Sequence, residues 1–164
     1  DIETAQVKIL RYALAYDIGK AVNPMIVDGQ LVGAIAQGIG GALLEELVYD
    51  DQGQLLTTTF MDYLVPTVME MPETIAVLIL EATPTPLNPL GVKGAGEGGS
   101  SGCGAALANA VADALAPLGV PITALPLSPD RLHRLITEHR PRDPHHDATL
   151  PIGAPVPAPR APHG

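Results

Sequence analysis

The residues best suited to chemistry lie between Gly91 and Gly104, where seven of fourteen positions are glycine and a single carboxylate, Glu97, sits among them. Successive backbone N–H groups in a loop of that kind can converge on an anion. Gly94, Gly96 and Gly99 satisfy the G-x-G-x-x-G spacing of a dinucleotide site, but the match is weak: a Pro-punctuated run, Pro84 to Pro89, stands where a strand is needed. The Gly-Lys-Ser/Thr of a nucleoside-triphosphate loop is absent. Glu97 therefore either caps the following helix or lies exposed, or it is held near an apolar site as a general base. The residue types alone leave these readings open.

Other chemistry-bearing side chains have plain alternatives. Gln37 sits in a Gly-rich stretch and would serve equally as a partner for a neighbouring backbone group. Cys103 has no His or second Cys nearby and reads as a small buried residue. His133 and His139 fall on a short charged helix and read as solvated, and His145-His146 is one pair in a Pro-rich tail. No metal site is assigned to this chain.

The elements that must position these residues follow from periodicity. Ala5 to Tyr16 alternates apolar and polar positions as a strand does, and Asp17, Gly19 and Asn23-Pro24 break it. Val32, Ile35, Ile39, Leu43 and Leu47 recur at helical steps, predicting a helix over Asp28 to Leu47. Helix-interior glycine costs about 0.5–1 kcal/mol relative to Ala, so Gly33, Gly38, Gly40 and Gly41 are expected to allow close approach of backbone or ligand. Leu55 to Val65 reads as a hairpin or further strand after the Asp50-Asp51-Gln52-Gly53 turn. Thr74 to Thr83 is a continuous apolar run of the buried-sheet type.

After Gly104 a helix is expected, with Leu107, Ala110, Val111, Ala114, Leu115 and Leu118 as its apolar stripe and Gly119 and Pro121 as its stop. Ser128-Pro129 opens a short helix to about Glu138. The fold class expected is α+β, a mixed sheet packed with two principal helices.

At 164 residues and 46% hydrophobic the chain can bury a core, although aromatics are only 3% and Gly and Pro number 17 each. The net charge of −9 belongs wholly to residues 1–129, where four cations face fourteen acids. Such a surface repels nucleic acid. The shift in charge and composition sets a domain over 1–139 and a Pro/His/Ala-rich tail over 140–164, expected to be disordered. One cysteine excludes an internal disulfide and suggests a reducing, cytoplasmic setting. Leu31 to Leu44 is too short and Gly-rich to span a bilayer. The opening Asp-Ile-Glu-Thr without Met suggests a fragment, a processed chain or one part of a split subunit.

Four blocks, YDIGKAVNPMIVDGQLVGAIAQGIGGALLEE, LTTTFMDYLVPT, TPTPLNPLGVKGAGEGG and ANAVADAL, resemble in order and spacing the closing part of the molybdenum-binding large subunit of molybdenum hydroxylases. That family includes xanthine dehydrogenase, aldehyde oxidoreductase and aerobic carbon monoxide dehydrogenase, and the resemblance covers residues from about 5 to 137. It implies the second molybdopterin-binding domain of such a subunit. Lys93-Gly94-Ala95-Gly96-Glu97 matches the family's Lys-Gly-x-Gly-Glu motif, which implies that Glu97 faces molybdenum as the catalytic base, with Lys93, Gly94, Ala95 and Gly96 close to the cofactor. Gln37-Gly38 matches its Gln-Gly element, which implies a hydrogen bond from Gln37 to the pterin. Asp62 matches a family position with a structural role.

The resemblance further implies a molybdopterin cofactor, in the cytosine dinucleotide form, carrying molybdenum. It implies iron–sulfur clusters and FAD on partner subunits, an upstream half of the molybdenum subunit, and a small-molecule substrate oxidised with water-derived oxygen: an aldehyde, an N-heterocycle or carbon monoxide. The competing class is a non-catalytic module that holds cofactor or assembles subunits.

Overall fold

The computed structural model describes residues 1–140, so the expected tail disorder lies outside the described residues apart from Arg140. Strand β1 (Arg11–Asp17) leads into helix α1 (Pro24–Leu43), and β2 (Thr74–Leu80) returns beside β1. Helix α2 (Cys103–Leu115) runs into a 3₁₀ turn at Ala116–Leu118, and α3 (Pro129–His139) closes the domain. The strands pair in parallel, Arg11 opposite Thr74 through Asp17 opposite Leu80. Parallel pairing needs a crossover, which α1 and the long segment after it supply.

The expected mixed sheet is thus corrected to a two-stranded parallel sheet with three helices, a small α/β arrangement. The missing strand is Leu55 to Val65. There Thr59 and Asp62 bond one another (Oγ1 to Oδ2, 3.1 Å), and the Tyr63 N–H donates to the Thr59 carbonyl at 2.7 Å. Short polar side chains compete with the ladder for backbone groups, so the stretch turns. Only one isolated antiparallel bridge, Tyr49 to Leu55, remains of the expected hairpin. The N-terminal half of the expected first strand also fails to pair. Asp1 Oδ1 accepts from the Glu3 and Thr4 N–H groups at 2.8 Å, and Ala5 adopts φ 56°, so the chain is turned before it straightens at Arg11.

Helix α1 begins earlier than periodicity suggested, because Asn23 is its cap rather than a breaker. Its Oδ1 accepts from the Ile26 N–H at 3.2 Å, with Pro24 at the first helical position. At 20 residues and a mean hydropathy of 1.2, α1 has the length and composition of a membrane span, contrary to the shorter stretch expected. Its packing is that of a core helix: Leu31, Ala34, Ile35, Ile39, Ala42 and Leu43 are buried. Gly38 is where α1 meets α2, since a Cβ there would lie 2.8 Å from the Cys103 sulfur. Gly40 is similarly crowded, by Glu45 and Pro66, whereas Gly33 and Gly41 face open space, so the close-approach expectation holds for two of the four.

The core joins Ile35, Ile39 and Leu43 to Cys103, Leu107, Val111 and Leu115, with Val120, Leu127, Leu132 and Ile136 closing it from the C-terminal side. The α2 stripe is narrower than expected, for Ala110 and Ala114 are exposed. Gly119, at φ 67°, ends the 3₁₀ turn as the sequence indicates. Ser128 Oγ caps α3 through the Arg131 N–H. Strand β2, expected to be covered on both faces, leaves Ala76, Leu78 and Leu80 exposed.

Candidate functional site

The Gly-rich segment is held at its base by the ends of both strands. The Lys93 N–H donates to the Ile18 carbonyl at 2.8 Å, and its ammonium reaches Thr83 Oγ1 at 2.9 Å and Asp17 Oδ2 at 3.3 Å. Thr83 in turn donates to the same Asp17 oxygen. Together with the Gly19 N–H, 2.8 Å from Asp17 Oδ1, these donors hold the Asp17 carboxyl below the usual aspartate range, the Thr83 hydroxyl contributing most. Sequence reasoning left Lys93 undecided between a carboxylate and a cofactor; within this chain it pairs with Asp17. Asp17 and Thr83 themselves were missed, because Asp17, two residues ahead of Gly19, reads as a strand breaker and nothing local links it to position 83.

Just upstream, Asn88 staples the Pro-rich run into place. Its Oδ1 accepts from the Leu90 and Val92 N–H groups at 3.1 and 3.2 Å, and its Nδ2 donates to the Val92 carbonyl at 3.0 Å. Beyond Lys93, the Tyr16 hydroxyl donates to the Gly94 carbonyl at 3.0 Å.

At Glu97 the backbone is pinned and the side chain is free. The Glu97 carbonyl accepts from the Ser100 and Ser101 N–H groups, at 3.1 and 3.2 Å, and from both serine hydroxyls, at 3.0 and 3.1 Å. Its carboxylate is exposed and, among the described residues, takes no hydrogen bond. Helix α2 starts at Cys103 with Gly102 as its cap residue and no capping side chain, so Glu97 is not the cap. One of its bland readings is thereby removed.

Gln37 lies on α1 next to Gly38, and a Cβ at Gly38 would stand 3.4 Å from the Ser100 Cα. The helix bearing Gln37 therefore adjoins the turn that pins Glu97. The Gln37 side chain is exposed and makes no hydrogen bond among the described residues, contrary to the backbone-capping alternative. At Gly94 and Gly96 an added Cβ would meet open space, and Ala95 between them is half-buried.

Cys103 is fully buried, its sulfur 3.8 Å from the Ile35 carbonyl, and burial pushes its thiol up, away from nucleophile chemistry. Beside it the Tyr12 phenol is also pushed up, by burial first and then by the neighbouring Cys103 thiol. His133 and His139 are exposed, the latter turned onto the Leu135 carbonyl at 2.9 Å. Among the described residues no group of three or more His, Cys, Asp or Glu side chains could hold a metal.

The pinned Gly-rich turn, the exposed carboxylate of Glu97 and the start of α2 thus lie side by side in the chain, next to the part of α1 that carries Gln37. The family described as the molybdopterin cofactor-binding domain matches residues 1–72. The gamma subunit of the 6-hydroxypseudooxynicotine dehydrogenase complex of Paenarthrobacter nicotinovorans is 44% identical over 132 residues, which is 80% of this chain and 16% of that subunit. The crystal structure of quinoline 2-oxidoreductase from Pseudomonas putida 86 superimposes with a TM-score of 0.73 at 52% identity, covering 79% of this chain and 16% of that one. For carbon monoxide dehydrogenase from Oligotropha carboxidovorans the TM-score is 0.78 at 34% identity, covering 85% and 17%.

The chain belongs to the molybdenum-binding subunits of the xanthine dehydrogenase, aldehyde oxidoreductase and carbon monoxide dehydrogenase family, and spans about a sixth of their length.

Proposed function

We propose that this chain is the part of a molybdenum hydroxylase subunit that presents the catalytic base, Glu97, to a molybdopterin-held molybdenum. The observation that carries the reading is the contrast at Glu97, whose carbonyl receives four hydrogen bonds while its carboxylate has none among the described residues. A carboxylate fixed by its backbone but unpaired is poised to accept a proton from something outside this chain.

The residues fit an anionic pterin cofactor. Gly94 and Gly96 leave room for close approach, α2 begins with neither a capping side chain nor an acid in its first turn, and Gln37 offers an unpartnered amide. When bound, the molybdenum centre supplies two-electron oxidation with water-derived oxygen. Glu97 then takes up the proton, Gln37 orients the pterin, and Lys93, tied to Asp17 and Thr83, keeps the Gly94-Ala95-Gly96 backbone at the cofactor's edge.

In this reading the cofactor is the cytosine dinucleotide form, iron–sulfur and FAD subunits carry the electrons away, and the enzyme works in the cytoplasm. An upstream half of the subunit supplies the remaining cofactor loops and most substrate contacts. Among aldehydes, N-heterocycles and carbon monoxide, an N-heterocycle is favoured by the 52% identity to an enzyme named for quinoline.

The test is Glu97→Gln in the assembled enzyme. Turnover should fall by about 10²–10⁴, the worth of a positioned general base, with fold and molybdenum content unchanged. Full turnover with the metal present would show that the base lies elsewhere.

A further inference from the structure

Tyr16 touches the Glu97 loop at two places. Its hydroxyl donates to the Gly94 carbonyl at 3.0 Å, and its ring lies so close to Gly98 that a Cβ there would stand 2.6 Å from Cζ and 2.8 Å from each Cε. The two contacts straddle Glu97, one before it in the chain and one after. Between them, Ala95 and Gly96 make no hydrogen bond among the described residues. The four bonds at the Glu97 carbonyl fix the loop toward α2, and Lys93 ties its base to Ile18 and Asp17; between Lys93 and Glu97, Tyr16 alone among the described residues hydrogen-bonds the loop from the sheet. Tyr16 belongs to β1, whose register with β2 is set along the whole strand, so it ties the loop to a rigid element.

We propose that Tyr16 is a positioning residue for Glu97, an inference that rests on the reading of Glu97 as the base. The phenol sets the height of the loop at Gly94, and the ring limits its approach at Gly98. The carboxylate between these points is thereby held to a narrow range of places. A base displaced by a fraction of an ångström loses much of its advantage, since proton transfer needs hydrogen-bond reach. Gly98 is part of the device, because any side chain there would displace the ring.

The experiment uses the assembled enzyme with Tyr16→Phe, which keeps the ring and removes the hydroxyl, beside Glu97→Gln as the reference. The loss of one hydrogen bond predicts a fall in kcat of about three- to tenfold with KM unchanged. Molybdenum content and thermal midpoint should stay at the wild-type level, while amide hydrogen exchange over residues 94–98 accelerates. A tyrosine serving stability alone would move the midpoint or the metal content instead, and either result overturns the proposal. Wild-type kcat and exchange in Tyr16→Phe, with Glu97→Gln inactive, also overturns it while leaving the base in place. Undiminished turnover in Glu97→Gln overturns the base and this proposal together, whereas the exchange measurement reports separately whether Tyr16 fixes the loop.

Discussion

Asp17 is the residue at which sheet, loop and charge meet, and its protonation should loosen the base of the loop. Its folded-state carboxyl is held below the ordinary value of about 3.9, chiefly by Thr83, then by the Gly19 N–H, with Lys93 adding a smaller share. The stability it contributes is therefore complete above that ordinary value and is lost as pH falls through the depressed one. The difference in thermal midpoint between wild type and Asp17→Asn should be largest at neutral pH and shrink below about pH 4. A difference that stays constant down to pH 3 would show that the carboxylate's charge is not what holds the loop base. The sequence made Glu97 conspicuous, because a lone acid among glycines stands out. It did not reveal Asp17, Thr83 or Tyr16, which are linked to the loop only through the parallel pairing of two distant strands.

At the scale of elements, α1 and α2 meet at Gly38 and Cys103, and two effects compete there. Gly38→Ala gains about 0.5–1 kcal/mol of helix propensity. It also pushes a methyl group into the buried Cys103 side chain, where overpacking costs about 1–3 kcal/mol. The clash should win, so amide exchange over Ile35–Leu43 and Cys103–Leu107 should accelerate in Gly38→Ala; slower exchange there would mean the helices can yield. Helices were the most legible elements, since their apolar stripes and their Ser128, Pro129 and Gly119 signals act locally. Strands were less so. Leu55 to Val65 has strand-like composition, yet Thr59 accepts from the Met61, Asp62 and Tyr63 N–H groups that a ladder would draw on. Asn23 was read as a break because an Asn-Pro pair both ends one element and opens another.

For the whole molecule, the outer surface is that of a part. Phe60, Met61, Val68, Met69 and Leu87 are each more than 80% exposed, far from the sparse single apolar residues normal on a finished surface. The matched part is 16% of the first such relative, and we expect the rest of such a subunit to cover these side chains. Two outcomes follow for the 164-residue chain purified alone: it should self-associate in a concentration-dependent way on size exclusion, and it should carry no stoichiometric molybdopterin. A monodisperse monomer holding one cofactor per chain would overturn both. The parallel register has a further consequence, in time rather than in space. Every rung from Arg11 with Thr74 to Asp17 with Leu80 closes a loop of about sixty residues before it gains anything. Helix α1 can form locally within microseconds, but the sheet must wait for distant chain to arrive. During synthesis the Asp17–Lys93–Thr83 knot, and with it the seat of Glu97, therefore cannot close until Lys93 has emerged, long after α1 is available to form.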